Sequence, residues 1–259
     1  MPYHSGELAV QARAGVASPR IGVHDTIPPV AAQFLAAQQV VIASSIDGEG
    51  RLWASLLAGD PGFACTVDWQ TAHITPTAGN EVFDGDAGLL AIEFATRRRM
   101  RVNGRLHHEG DTLVVETREV YSNCPQYITP QPVAVPCLGA ASRGSSLTEE
   151  QRLFIRGTNT FFIATAHQEA GADASHRGGP AGFVHAEADR VSWPDYRGNN
   201  MFNTLGNLAV DPRCGLLFTD FQRTLQLTGS AAVAWEGTTR RVEMRVEGVI
   251  YHAPCAAHR

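Results

Sequence analysis

The sequence predicts a mainly β (α+β) chain made of two copies of one sheet-forming unit, and three observations carry that prediction. Blocks recur in the same order along the chain: A-S-L-L-A-G-D-P-G-F at 54–63 and A-S-H-R-G-G-P-A-G-F at 174–183 share Ala, Ser, both glycines and Phe in register. Short alternating runs such as D-T-L-V-V-E-T-R-E-V-Y and R-R-V-E-M-R-V-E-G-V read as antiparallel strands with one solvated face. Long helices that would alternate with strands are missing and no G-x-G-x-x-G occurs, which disfavours a doubly wound dinucleotide-binding architecture.

The first copy, 28–128, opens with a helix, P-P-V-A-A-Q-F-L-A-A-Q from Pro28, and continues with the strand V-I-A-S at 41–44. After the shared stretch come G-L-L-A-I-E-F at 88–94 and R-M-R-V-N-G, a strand ending at a glycine. Residues 129–147 hold many Pro, Gly and Ser with no helical or strand period, and read as a linker. The second copy, 148–251, repeats the order. Thr148 caps a helix with glutamates in its first turn, then F-I-A-T at 162–165, G-L-L-F-T-D-F at 215–221 and L-Q-L-T-G follow. The copies differ most in the middle. Copy one has the turn-like T-P-T-A-G-N-E-V-F-D-G-D-A, whereas copy two has W-P-D-Y-R-G-N-N-M-F-N-T-L-G-N-L-A-V-D-P-R. There Met201, Phe202, Leu205 and Leu208 recur at helical spacing, Asp195 or Asn199 can cap the start, and Asp211-Pro212 stops the helix.

A net charge of -5 and a pI near 6.0 argue against nucleic acid as a partner. No segment approaches the ~20 apolar residues of a membrane-spanning helix, and the N-terminus does not read as a signal peptide, so the expectation is a cytoplasmic protein. All 21 basic side chains are arginine, which excludes Schiff-base and Walker-type lysine chemistry. The five scattered cysteines read as reduced thiols, Cys124 as a small buried apolar residue, and no metal site is expected: His107 and His108 point to opposite faces of a strand, and His167, His176 and His185, evenly spaced across turns, read as surface histidines. Trp53, Phe63 and Trp69 read as core.

Three basic features stand out. The polar start of the 201–210 helix carries Arg197, and a helix N-terminus with a neighbouring arginine attracts anions. His176-Arg177 lies just upstream, where copy one has Leu56-Leu57. In R-R-R-M-R at 97–101, alternation puts Arg97, Arg99 and Arg101 on one face. That run reads either as a solvated edge strand or as an anion site.

The W-P-D-Y-R-G-N-N-M-F-N-T-L-G-N-L helix, the Gly-containing second strand and the G-L-L-F-T-D-F / L-Q-L-T-G pair resemble the pyridoxamine 5'-phosphate oxidase-like, FMN-binding split β-barrel family. H-S-G-E-L-A-V-Q-A-R-A-G, T-R-R-R-M-R-V-N-G-R and N-C-P-Q-Y-I resemble its predicted flavin-nucleotide-binding branch. The resemblance implies a tandem split β-barrel whose two halves form an intrachain pseudo-dimer, with FMN at their junction. It implies a flavin site from Ser175, His176 and Arg177, Tyr196, Arg197, Asn199 and Asn200, faced by Arg98, Arg99 and Arg101. An oxidoreductase would follow, with a small-molecule substrate or reduced nicotinamide donor and a possible homodimer. Some relatives hold haem instead, for which His176 or His185 would be the axial ligand, and a non-catalytic module with a vestigial site is the third alternative. Gly198-Asn199-Asn200 departs from the family's Ser-Arg-Lys-like triplet, and the tail lacks a counterpart of its C-terminal Trp, so vitamin B6 oxidation itself is not expected.

Overall fold

A computed structural model describes residues 3–20, 22–198 and 200–255. After α1 (Ser5–Arg13) and α2 (Pro29–Ala36), the first half is β1 (Val40–Ile46), β2 (Leu52–Ala58), β3 (Ala64–Thr66), β4 (Thr71–Ile74), β5 (Ala78–Gly79), β6 (Gly85–Glu93), β7 (Arg98–Glu109) and β8 (Thr112–Ser122). Then come β9 (Leu138–Gly144) and α3 (Glu149–Gly157), and the second half is β10 (Thr160–His167), β11 (Gly171–Gly178), β12 (His185–Ala186), β13 (Arg190–Pro194), α4 (Asn203–Val210), β14 (Arg213–Thr219), β15 (Thr224–Glu236) and β16 (Thr239–Pro254).

The two sheets have one topology. The first runs β3-β4-β8-β7-β6-β1-β2-β5 and the second β12-β13-β16-β15-β14-β10-β11, with β9 added beside β16, so each strand has a counterpart in the same place except β5 and β9. Even the irregularities recur: the β7/β8 ladder shifts register at Asn103/Gly104 and the β15/β16 ladder at Thr228/Gly229. At both glycines a Cβ would fall about 2 Å from a carbonyl oxygen of the neighbouring strand, Glu116 or Arg245. The mainly β, tandem split-barrel expectation therefore holds. Each half has its own core, around Leu35, Ile74 and Leu89 in one and Phe161, Trp193 and Phe218 in the other.

A third cluster, including Ile42, Leu56, Leu90, Phe162 and Leu217, joins the halves. Here the repeated Gly-Leu-Leu blocks acquire their reason. A Cβ at Gly88 would sit 2.6 Å from the Ala172 oxygen on β11, and one at Gly215 would sit 2.6 Å from the Leu52 oxygen on β2. Each glycine admits the backbone of the opposite half, in a reciprocal arrangement like that of a two-fold dimer.

Several expectations are corrected. The 129–147 linker is not without structure, because its Leu138–Gly144 segment pairs with β16 as β9. That pairing brings Cys137 and Cys255 together as a disulfide, with Cα atoms 5.4 Å apart, so these two are not reduced thiols. The 28–128 and 148–251 bounds also leave out α1, which packs on α4 through Gly6 and Gly206, where a Cβ at Gly6 would meet the Gly206 oxygen at 2.1 Å. Trp53 and Phe63 are buried, but Trp69 is 63% exposed and outside the core. β7 lies between β6 and β8 and is no edge strand. Among the described residues no helix is long and apolar enough to cross a membrane.

Candidate functional site

A cleft opens where β7 of the first half meets β11 and the start of α4 of the second. Alternation along β11 separates the His-Arg pair, since successive strand residues face opposite ways. His176, 4% exposed, points into the junction between the halves, edge-on to Phe94 and Phe162 at ring-centroid distances of 6.3 and 5.8 Å. Ser175 and Arg177 share the other face with Asp173.

From the opposite half, Arg99 and Arg101 reach across. The Arg101 guanidinium donates to both carboxylate oxygens of Asp173, at 2.8 and 2.7 Å, to the Tyr121 hydroxyl at 3.0 Å and to Ser175 Oγ. Burial lowers its proton affinity, but Asp173 more than offsets this and the net shift is upward. Arg99 donates to His176 Nδ1 at 3.1 Å. An arginine only donates, so the imidazole proton sits on Nε2. Burial, reinforced by Arg99 and Arg177, holds His176 well below the usual histidine range, so it is neutral.

The charge balance of the cleft is the telling property. Asp173 is taken by Arg101, and Asp195 by Arg240 at 2.8 Å. Among the described residues Arg99 and Arg177 have no carboxylate within ion-pair distance, and the buried Nε of Arg99, Nε of Arg101 and Nε2 of His176 lack hydrogen-bond partners. Burial first, then Arg101 and Arg177, push Arg99 down to about 9, and burial also lowers Arg177. Arg99 and Arg177 are both half-buried; partly desolvated cations without a counter-charge are costly, and a bound anion or a set of acceptor atoms would relieve that cost. α4 adds more donors: it starts at Asn203 with no side-chain cap, and Asn203, Thr204 and Leu205 line the cleft. Thr204 Oγ1 donates to Ser175 Oγ at 3.0 Å, tying the helix start to β11. Three non-glycine residues of the lining, Tyr127, Asn200 and Phe202, hold left-handed backbone with φ of 61 to 63°. Strained backbone of this kind collects at ligand-holding sites.

The cleft brings together Ser175, His176, Arg177, Tyr196, Asn200, Arg99 and Arg101. Asn199 lies outside the described residues. Arg197 is exposed and outside the lining, although its carbonyl accepts from the Tyr127 hydroxyl at 2.9 Å. Arg98 is on the other face of β7, paired with Glu93 at 2.8 Å and lying over Phe34, so the expected cluster loses it. Arg97 sits in the turn before β7 at φ 58°, off the strand face assigned to it. The helix begins after Met201 and Phe202, and Asp195 is an ion-pair partner rather than its cap. Cys124 is half-buried in the cleft wall, not in a core. Sequence reasoning missed Asp173, Tyr121, Tyr127 and Arg240. Asp173 carried a faint signal, as an acid between small residues on the strand that also carries the His-Arg pair.

The same position in the first half is closed. Counting back from the two bulge glycines, Thr224 stands for Arg99 and Gln226 for Arg101. From the shared stretch, Leu56 stands for His176 and Leu57 for Arg177. There β5 adds to β2, and Asn80 bridges the gap by accepting from the Leu56 amide at 3.0 Å and donating to Thr224 Oγ1 at 2.9 Å. Gln226 donates to the Ala54 oxygen and to Ser55 Oγ. One copy is filled with neutral, fully paired groups and the other is open and cationic.

Residues 147–252 match the family model for pyridoxamine 5'-phosphate oxidase. Among solved structures, HupZ of Group A Streptococcus is 13% identical over 44% of this chain and 98% of its own, with a TM-score of 0.34. A putative pyridoxamine 5'-phosphate oxidase from Corynebacterium glutamicum is 7% identical over 45% and 95%, with a TM-score of 0.31. The FAD binding protein of Mycobacterium smegmatis is 10% identical over 44% and 98%, also with a TM-score of 0.31. Likeness at this level does not extend to function. No curated protein matches the chain.

Proposed function

From a chain whose residues 147–252 match the pyridoxamine 5'-phosphate oxidase family model and whose first half repeats their topology, we propose a flavoprotein that binds FMN in the open cleft and acts as an oxidoreductase. The observation that carries this reading is the pair of arginines, Arg99 and Arg177, without carboxylate partners among the described residues and beside an uncapped helix start. Arg177, Ser175 and the first amides of α4 would hold an anionic phosphate. Arg99 would offer a cationic donor to the acceptor atoms of the ring. A bound flavin supplies hydride and single-electron transfer at its own ring. The protein therefore needs to bind, orient and exclude water, and no side chain is assigned as acid or base. A reduced nicotinamide or another small molecule would be the donor. Both walls of the cleft come from one chain, so a homodimer is not needed to complete it.

The haem alternative is weaker on geometry. His185 is exposed on β12 outside the cleft lining, and His176 is 4% exposed with Nδ1 already taken by Arg99. A cytoplasmic location belongs to the same proposal, and the Cys137–Cys255 link is the feature that weighs against it, because disulfides persist in oxidising compartments.

The test is the visible spectrum of the purified protein, followed by FMN titration monitored by quenching of flavin fluorescence. Arg177→Ala should weaken binding by about 1.5–3 kcal/mol, the worth of one charge-assisted contact, whereas Arg197→Ala should change little. A colourless protein that ignores added FMN, or unchanged affinity in Arg177→Ala, would defeat the proposal.

A further inference from the structure

A second pocket, of about 350 Å³, adjoins the cleft on the side of Asp173 and is bounded by α1, β7, β8, β11 and α4. Its walls are acidic. Glu7 is 3% and Asp173 5% exposed, Glu119 is half-buried, and Glu169 stands at the rim. The positive groups nearby do not balance them: Arg101 is committed to Asp173, and His4 is pushed below the usual histidine range by burial and by His167. His4 Nε2 is bonded to Asn207 Oδ1 at 2.8 Å.

An independent feature asks for a donor. Asn103 is 5% exposed, and its amide nitrogen donates to Asp173 at 3.2 Å and more weakly to Glu119 at 3.4 Å. Its Oδ1 is buried and has no partner among the described residues. Turning the amide over would set that oxygen against two carboxylates, so the orientation is fixed and the acceptor is left open. The fold itself does not require these charges. In the other copy Trp53 stands for Asp173, Thr228 for Asn103, Gly248 for Glu119 and Gln226 for Arg101. The pocket there has its principal buried acid, Asp47, paired with Arg51 at 2.7 Å and with the Trp53 indole at 2.8 Å.

We infer that the acidic pocket binds a primary ammonium group of a small organic ligand, with Glu7, Glu119 and Asp173 as counter-charges and Asn103 Oδ1 as an added acceptor. No three His, Cys, Asp or Glu side chains among the described residues are placed to hold a metal ion, so an organic cation fits better than a metal. The inference does not depend on flavin. The groups facing Glu7 are His4, which caps its helix, Asp173 from β11, Glu119 from β8 and Arg101 from β7. With that surplus of acid, burial pushes Glu7 up to about 7 and also raises Glu119, so cation binding should release protons.

The experiment is calorimetric titration of the full chain with n-butylammonium at pH 7, in two buffers of different ionisation enthalpy. 1-Butanol is the neutral isostere and magnesium chloride the metal control. Saturable one-to-one binding of butylammonium with proton release, and none of butanol, is expected. Glu119→Gln should weaken binding roughly tenfold or more, since a hydrogen bond to a charged group is lost, and Glu7→Gln should abolish most of the proton release. If Glu7→Gln does not fold, Glu119→Gln alone decides. No saturable butylammonium signal, equal binding of butanol, binding of magnesium in place of the ammonium, or unchanged affinity in Glu119→Gln would each overturn the inference.

Discussion

The Arg101–Asp173 pair is the place where the repeated architecture makes a sharp energetic prediction. Both side chains are almost fully buried, 8% and 6% exposed, and the guanidinium grips both carboxylate oxygens. Such a pair gains little over neutral groups of the same shape, yet removing one partner leaves a bare buried charge at roughly 3–5 kcal/mol. The other half already shows that a glutamine fits, since Gln226 occupies the equivalent position with both its bonds made. Arg101→Gln should therefore destabilise by about 3–5 kcal/mol and Asp173→Asn by a similar amount. The double variant restores neutrality, and should lose only about 1.5–3 kcal/mol, the net worth of a charge-assisted bond with its partners. Urea unfolding at pH 7, followed by circular dichroism at equal m-values, yields the three numbers and hence the coupling. A double variant destabilised by the sum of the singles would refute the reasoning, for it would mean that volume and packing, not charge, set the cost.

Three further outcomes follow from the same geometry. Glu7 has its folded-state pKa raised above the usual carboxylate value of 4.5, to about 7. The folded state then holds more protons in that window, so stability should fall as pH rises from 4.5 to 7, by about 1–3 kcal/mol for a shift of this size. Glu7→Gln, which keeps the capping contact to the His4 amide, should flatten that slope in urea melts across the range. Gly88→Ala and Gly215→Ala each drive a methyl into backbone of the opposite half, and thermal melts should show comparable losses of about 1–3 kcal/mol or more; a loss at only one would break the reciprocity. Reducing Cys137–Cys255, which closes a loop across 118 residues, should cost about 2–5 kcal/mol in denaturant titrations with and without reductant.

The repeat and its one altered half were legible because strand order follows short blocks that must be small, apolar or turn-forming in both copies. Gly59 and Gly179 illustrate this: each lies under the Phe four residues on, at 2.6 and 2.7 Å from a notional Cβ, so the Gly and Phe coincide in both sequences. The basic side of the cleft was legible too, since Arg99, Arg101 and Arg177 depart from neutral counterparts. Its partners were not. Asp173 meets Arg101 from 72 positions away, and no spacing announces a pair made by docking two sheets. Arg98 was misplaced because the family resemblance carried it over with its neighbours, although strand alternation already put it on the face opposite Arg99 and Arg101. The disulfide escaped for a similar reason, as Cys137 lies between a proline-rich stretch and a segment that becomes a strand only against β16.

The two copies together constrain what the charged residues are for. A duplicated sheet with the same register and the same bulges is a control for itself: what the architecture needs should appear in both halves. The bulge glycines and the junction glycines do. Arg99, Arg101, Asn103, Glu119, Asp173 and Arg177 do not, and in the other half Asn80 and β5 close the corresponding space with neutral groups. Buried ionic networks cost desolvation that neutral packing avoids, so keeping one in only one half is unfavourable for stability alone. The asymmetry is accounted for if the charges face ligands of two kinds, an anion or acceptor-rich ring on the arginine side of the Arg101–Asp173 pair and an ammonium on the carboxylate side. Neutralising the open half with the residues of the closed one should then give a protein at least as stable that has lost both.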